Sequence, residues 1–279
     1  MAIILDGKKL RDKIIENLKT KVDTFKKKPT LVVILVGENP ASKIYVNNKK
    51  KMAEKIGINS EVINYPENIS EKELLSKIDE LNNDKNVTAI LVQLPLPEHI
   101  SKDNVMNKIT PSKDVDGFTP YNFGKLFSGE TPTVYPCTPK GILLLLDEYN
   151  IELEGKHVVI VGRSNIVGRP LSQMMLNRNA TVTICHSHTK NLPQITKTAD
   201  VLVSAVGKNI IEGEILKTGC VIVDVGIFKD GNGKTRGDVD FESASKIASY
   251  ISPVPGGVGP MTIASLMLNT VELFEKNSL

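Results

Sequence analysis

At 279 residues, with 41% apolar and 24% charged side chains, the chain has the makeup of a globular protein long enough for two α/β domains. A formal charge of +3, with acids and bases mixed throughout, argues against a dedicated nucleic-acid surface, and no apolar run approaches the length of a membrane span. The start, MAIILDGKKLRDK, has too short an apolar stretch for a signal peptide and lacks the Arg and Ser of a transit peptide. Cys137, Cys185 and Cys220 form no CxxC pair, so free thiols in a reducing compartment, the cytoplasm, are expected.

Strands and helices alternate from the beginning. Leu10 to Phe25 reads as a helix, with Leu10, Ile14, Leu18 and Val22 on one face. Leu31 to Val36 reads as a buried strand ending at Gly37, and a helix follows from about Ala41 to Ile56, stopped by Gly57. Glu61 to Tyr65 is a short strand. Ser70 and Glu73 form a capping box for a helix carrying Leu74, Leu75, Ile78 and Leu81. Val87 to Leu94 is a further strand, halted by Pro95 and Pro97, and the first α/β unit ends near Asp116 and Gly117. From Gly117 to Pro139 the pattern loosens into a crossing between domains, after which Thr138 and Pro139 suit an N-cap and first turn for the apolar helix Ile142 to Leu146.

The run from His157 to Thr189 organises the second half. Val158 to Val161 has the β-branched content of a buried strand and ends at Gly162; Gly168, Arg169 and Pro170 then open a helix carrying Leu171, Met174, Met175 and Leu176. A second strand, Thr181 to Cys185, follows. Strand, glycine turn, helix, strand is the mononucleotide-binding half of a doubly wound sheet, whose helix N-terminus can take a phosphate. Only Gly162 and Gly168 stand where the common fingerprint has three glycines, with Arg163 and Ser164 between them. An NAD site usually carries an acid after the second strand to accept the ribose hydroxyls. Here Cys185, His186, Ser187, His188 and Thr189 include none, and Arg163 adds a positive charge, which favours the 2′-phosphate of NADP. Apolar strands at Val201 to Val206 and Val221 to Val225 continue the sheet. SPVPGGVGPMT then leads to a final helix, about Thr262 to Phe274, whose apolar face is expected to return to the first domain. The expected fold is therefore two α/β domains with a cleft between them, the second a Rossmann-type doubly wound parallel sheet. The expected ranges are 1–120, completed by the helix 260–279, and 138–255.

Four places carry candidate chemistry. Tyr45 and Lys49 lie four residues apart on one helix face that Met52 and Ile56 continue inward. A lysine on a core-facing stripe is a candidate base, because burial favours its neutral form; the bland alternative is a solvated face, as for Lys43, Lys50, Lys51 and Lys55. Gln93 is the polar side chain at the carboxyl end of a strand, where open sheets place ligands, or else a structural amide. In KDVDGF, Lys113 to Phe118, the aspartates fit either a turn or a carboxylate that binds substrate N–H groups; no ligand spacing points to a metal. The glycines of Pro253 to Pro260 suit a close approach to a ligand or a hinge.

Taken together, NPASKIYVNNKKKMAEKIGI, VQLPLP, KDVDGF, PCTPKGI, VGRSNIVGRPLS and PVPGGVGPMT, in this order along essentially the whole chain, resemble the bifunctional methylenetetrahydrofolate dehydrogenase/methenyltetrahydrofolate cyclohydrolase family. The resemblance implies NADP-dependent oxidation of 5,10-methylenetetrahydrofolate followed by hydrolysis to 10-formyltetrahydrofolate. It puts the key lysine at Lys49 with Tyr45 and Gln93 beside it, and the pterin-binding carboxylate at Asp116. It matches Gly162, Arg163, Ser164 and Gly168 to the phosphate loop and Arg163 and Ser187 to the 2′-phosphate. Pro260 and Thr262 fall against folate and nicotinamide, and Ile227 near the nicotinamide. A homodimer joined through the nucleotide domains is also implied. Two rivals are a monofunctional NAD(P)-dependent dehydrogenase, against which Lys49 and Arg163 speak, and a non-catalytic nucleotide-binding regulator. The second would call for replacement of Lys49, Gln93 or Asp116, and all three are present.

Overall fold

The computed structural model describes residues 2–277. The chain divides into two compact units, and it passes from one to the other after Asp12, after Cys137 and after Thr262.

One unit takes the segment up to Asp12 and Thr138–Thr262. Its main sheet has six strands, all parallel, in the spatial order Ile3–Ile4, Tyr250–Ile251, Val221–Asp224, Val201–Ser204, His157–Val161, Thr181–Cys185, and a short antiparallel pair, Phe228–Lys229 with Thr235–Arg236, stands apart from it. The three strands from His157, Val201 and Val221 are buried almost throughout, as parallel strands covered on both faces are. From His157–Val161 the chain goes first to the neighbour on one side, Thr181–Cys185, and then to the neighbour on the other, Val201–Ser204. The winding direction reverses there, so the carboxyl end of His157–Val161, at Gly162, is the topological switch point where such sheets bind ligands.

Two glycines set the geometry of that point. Gly162 has φ +123°, and a Cβ on it would sit 2.6 Å from the Ala205 carbonyl oxygen. A Cβ on Gly168 would overlap the Gly162 carbonyl itself. Helix Gly168–Leu176 can therefore start hard against the strand end only without a side chain here.

The other unit takes Lys13–Cys137 and the segment from Ile263. Its central strand, Thr30–Val36, pairs in parallel with Asn59–Tyr65 on one side and Ala89–Val92 on the other. Alternation divides the central strand between two cores. Leu31, Val33 and Leu35 pack with Leu18, Val22, Val46, Ile56, Leu266 and Val271, whereas Val32, Ile34 and Val36 pack with Leu74, Ile78 and Leu81. Each such aliphatic side chain contributes about 1.5–3 kcal/mol by leaving water. Helix Pro40–Ile56 starts under an Asn39 cap and stops at left-handed Gly57; the Ser70–Glu73 capping box opens helix Glu71–Asn83 as its spacing foretells.

Several expected boundaries move. The range 1–120 breaks at its start, because Ile3 and Ile4 pair with Tyr250 and Ile251 and so join the six-stranded sheet. The loose stretch after Gly117 belongs to the three-stranded unit and holds a helix, Pro120–Phe127, capped by Thr119. Thr138 and Pro139 lie inside helix Cys137–Glu148 and do not cap it. The last helix spans Val258–Asn277, starting within the Pro/Gly segment; the final two residues of the expected range 260–279 lie outside the described residues.

Gly168→Ala should cost about 1–3 kcal/mol through this backbone overlap. Urea denaturation reads it, and stability within about 0.5 kcal/mol of the parent, the ordinary range for a neutral surface change, would mean that the turn yields.

Candidate functional site

In the three-stranded unit the buried residues of helix Pro40–Ile56 are Ser42, Val46, Ala53 and Ile56. Lys49 completes their spacing, so a half-buried lysine occupies a position that periodicity would give to an apolar side chain. Its Nζ donates to Gln93 Oε1 at 3.0 Å. Gln93 stands one residue past strand Ala89–Val92; its backbone N–H still donates to the Ile34 carbonyl, and its Nε2 donates to the Leu94 carbonyl at 2.6 Å. Tyr45, expected on the inward face, is instead 44% exposed one turn before Lys49, because it lies at the edge of the stripe that Val46 occupies.

The two aspartates of KDVDGF do different things. Asp114 is buried and accepts from the backbone N–H groups of Gly117, Phe118 and Thr119 at 2.8–3.2 Å and from Asn122 Nδ2 at 2.9 Å. It is the turn-former. Asp116 is left for other partners. Burial raises its carboxyl above the ordinary aspartate range; the Lys49 charge opposes this, the Asp114 charge adds to it, and a hydrogen bond with the Cys137 thiol opposes it. Lys49, Gln93 and Asp116 thus form one cluster of a cation, an amide and a carboxyl group.

In the six-stranded unit, Val161 pairs with Cys185, and the Gly162 N–H donates to the Cys185 carbonyl at 2.8 Å. This register brings Arg163 and the His186–Thr189 loop to one edge. The loop closes on itself: the His186 N–H donates to Thr189 Oγ1, the Thr189 N–H to the His186 carbonyl, and the His188 N–H to His186 Nδ1. Burial, the Arg163 charge and His188 all lower the His186 pKa, in keeping with an Nδ1 that accepts. Ser187 is exposed at the tip, as are Arg163 and Ser164 in the loop after Val161. No side chain caps the start of helix Gly168–Leu176. Glycines that let backbone crowd in, an uncapped helix start and an arginine without a neighbouring acid fit a dinucleotide bearing an extra phosphate.

Ile227 is 48% exposed, and a Cβ on Gly259 would come 3.9 Å from its Cδ1, so Ile227 borders the first turn of helix Val258–Asn277. That turn carries Pro260 and Thr262, and Thr262 Oγ1 lies 3.0 Å from Thr138 Oγ1. The predicted residues therefore fall into three local sets: Lys49, Gln93 and Asp116, with Tyr45 a turn away; Gly162, Arg163, Ser164, Gly168 and Ser187; and Ile227, Pro260 and Thr262. Sequence reasoning missed Cys137 as a partner of Asp116, and the buried Asp224 and Asp238. The signal available for the last two was a carboxylate directly after or before a glycine-flanked turn, in VDVG and GDVD.

Comparison with known proteins adds the following. The profile "Tetrahydrofolate dehydrogenase/cyclohydrolase, catalytic domain" matches residues 5–116, and its companion "NAD(P)-binding domain" matches residues 136–278. A curated relative, the "Bifunctional protein FolD" of Ligilactobacillus salivarius, is 55% identical over 99% of this chain and 98% of its own. The crystal structure of a bifunctional FolD enzyme from Campylobacter jejuni superposes with a TM-score of 0.98 at 52% identity, covering all of both chains. The Trypanosoma brucei dehydrogenase-cyclohydrolase, solved with NADP cofactor and an inhibitor, gives 0.95 at 35% identity over 99% and 98%.

Replacing Lys49 by Met removes the positive charge that holds Asp116 down, so the Asp116 carboxyl should titrate at higher pH than in the parent. A carbon-13 NMR titration of the aspartate side chains reads this. An unchanged or lower titration point would separate the two groups.

Proposed function

Since the chain belongs to the tetrahydrofolate dehydrogenase/cyclohydrolase family, we propose a division of that family's two reactions among the residues described above. The enzyme is bifunctional: it oxidises 5,10-methylenetetrahydrofolate with NADP to the methenyl cation and hydrolyses that cation to 10-formyltetrahydrofolate. The observation that carries the assignment is the Lys49–Gln93 pair facing Asp116 in one unit, together with an acid-free, arginine-flanked loop in the other.

NADP, when bound, accepts the hydride from the one-carbon bridge. The folate nitrogens stabilise the charge that develops, so the protein's part is orientation. Gly162, Ser164 and Gly168 let backbone approach the pyrophosphate. Arg163 and Ser187 take the 2′-phosphate, and Ile227, Pro260 and Thr262 border the nicotinamide and the folate. Asp116 accepts from the amino and amide N–H groups of the pterin. Those donors favour the carboxylate that burial disfavours, so substrate and carboxylate stabilise each other.

In the hydrolytic step a water oxygen bonds to the methenyl carbon and loses one proton, giving a neutral carbinolamine. N5 takes a proton as its bond to that carbon breaks, and the remaining hydroxyl proton leaves as the formyl carbonyl forms, so one proton is released overall. Lys49 assists the proton transfers from the attacking water, Gln93 holds Nζ in place through the 3.0 Å bond, and Tyr45 lines the approach. We place the enzyme in the cytoplasm as a homodimer joined through the nucleotide units. Three buried cysteines joined in no disulfide suit a reducing compartment, and exposed Leu176, Ile184 and Phe241 supply apolar surface for a partner copy. Among the described residues no helix is long and apolar enough to cross a membrane.

Lys49→Ala should slow ring opening by about a hundredfold or more while the circular dichroism spectrum stays that of the parent. Retained hydrolysis would remove Lys49 from the reaction. Arg163→Ala should weaken NADP about tenfold more than NAD, since only NADP carries the extra phosphate. Paired assays with the two cofactors decide it, and equal losses would give Arg163 a structural role.

A further inference from the structure

Two aspartates outside all three sets lie inside the nucleotide unit, Asp238 at 0% and Asp224 at 3% exposure. Asp238 Oδ2 accepts from the Val206 N–H at 2.7 Å and from Ser204 Oγ at 2.9 Å, and its Oδ1 accepts from the Lys208 N–H at 2.8 Å. Asp224 Oδ1 accepts from the N–H groups of Asp238 at 2.9 Å and Gly226 at 3.0 Å, and its Oδ2 from Val239 at 3.0 Å. The two therefore act in series: the side chain of Asp224 fixes the backbone of Asp238, whose side chain fixes the chain leaving strand Val201–Ser204. Glycine is required at both seats, because a Cβ on Gly226 would overlap the Asp238 carboxylate and one on Gly237 the Asp224 carboxylate.

The segment so held begins at Ala205, whose carbonyl is the group packed against Gly162 at the switch point. The other end of the relay, Gly226, directly precedes Ile227. Both loops leave the carboxyl ends of neighbouring parallel strands, the edge where a dinucleotide lies. We propose that Asp238 is a positioning residue for dinucleotide binding, holding Ala205–Lys208 against the Gly162 turn, with Asp224 locking Asp238 in place. This rests on the reading that the Gly162 edge takes NADP.

Asp238→Asn keeps the size but leaves one acceptor oxygen and turns an NH2 group toward an N–H donor, that of Val206 or that of Lys208. In the full-length protein, NADP affinity measured by titration calorimetry should fall about tenfold. Hydrolysis of 5,10-methenyltetrahydrofolate without nucleotide should keep the parent kcat and KM. Loss of hydrolysis in step with NADP affinity would make Asp238 a general stabiliser and overturn the inference, as would unchanged NADP affinity. Should Asp238→Asn fail to fold, Ser204→Ala removes one donor without stranding a charge; NADP should then weaken about fivefold, and no change would overturn the inference. A parent protein that binds no NADP would instead bring down the underlying assignment of the Gly162 edge.

Discussion

The functional loops of both units depend on aspartate carboxylates that gather backbone N–H groups. A loop leaving the carboxyl end of a parallel strand has lost its ladder partners, and a buried amide without an acceptor is costly. A carboxylate is the one side chain that accepts several bonds and needs to donate none. Asp114 takes four donors in the three-stranded unit, and Asp224 and Asp238 take three each in the nucleotide unit. The arrangement opposes itself in part: burial raises Asp224 and the N–H donors of Asp238 and Val239 pull it back, which leaves it at about 7. The loops are thereby rigid without being regular, which suits surfaces that must orient a ligand.

The same logic separates working charges from structural ones. In KDVDGF, Lys113 spends its Nζ on the carbonyls of Leu81 and Asp84, and Asp114 spends its oxygens on backbone. Only Asp116 is left with a thiol and the field of Lys49. On helix Pro40–Ile56, Lys43, Lys50 and Lys55 meet Glu38, Glu54 and Glu16 at the surface, where such pairs are worth little. Lys49 alone of these holds a position on the buried stripe, bonded to an amide. A charge that geometry keeps from ordinary pairing is one that a substrate can use.

Much of this was legible in the sequence, for physical reasons. Strands such as Thr181–Cys185 and helices such as Pro40–Ile56 follow from patterns of burial and from local punctuation, and the absence of an acid after Cys185 is a local fact. The two-residue strands Ile3–Ile4 and Tyr250–Ile251 are too short to show a period; they exist because a neighbouring strand offers a register. Helix Pro120–Phe127 hides behind its Pro and Gly, although Thr119 before Pro120 is a sound cap. Tyr45 went astray because four-residue spacing says which side chains are neighbours and not which face is buried. For Asp224 and Asp238 the sequence offers only an acid next to a glycine; the donors to Asp238 lie 30 to 34 residues away, so no local pattern records what the carboxylate holds.

In the proposed assignment, cofactor choice follows from an electrostatic balance at one loop. His186 Nδ1 is engaged as an acceptor by the His188 N–H, and the nearby Arg163 charge disfavours a proton there, so the imidazole adds no second cation. Arg163 is then a fixed charge of this edge. An acid among residues 186–189 would neutralise it and repel a phosphate, while accepting the ribose hydroxyls of NAD. With none present, the guanidinium keeps its charge for an incoming anion, and Ser187 at the exposed tip adds a neutral donor. In the proposed assignment, selection for the phosphorylated cofactor arises from one arginine placed by strand register and one carboxylate left out.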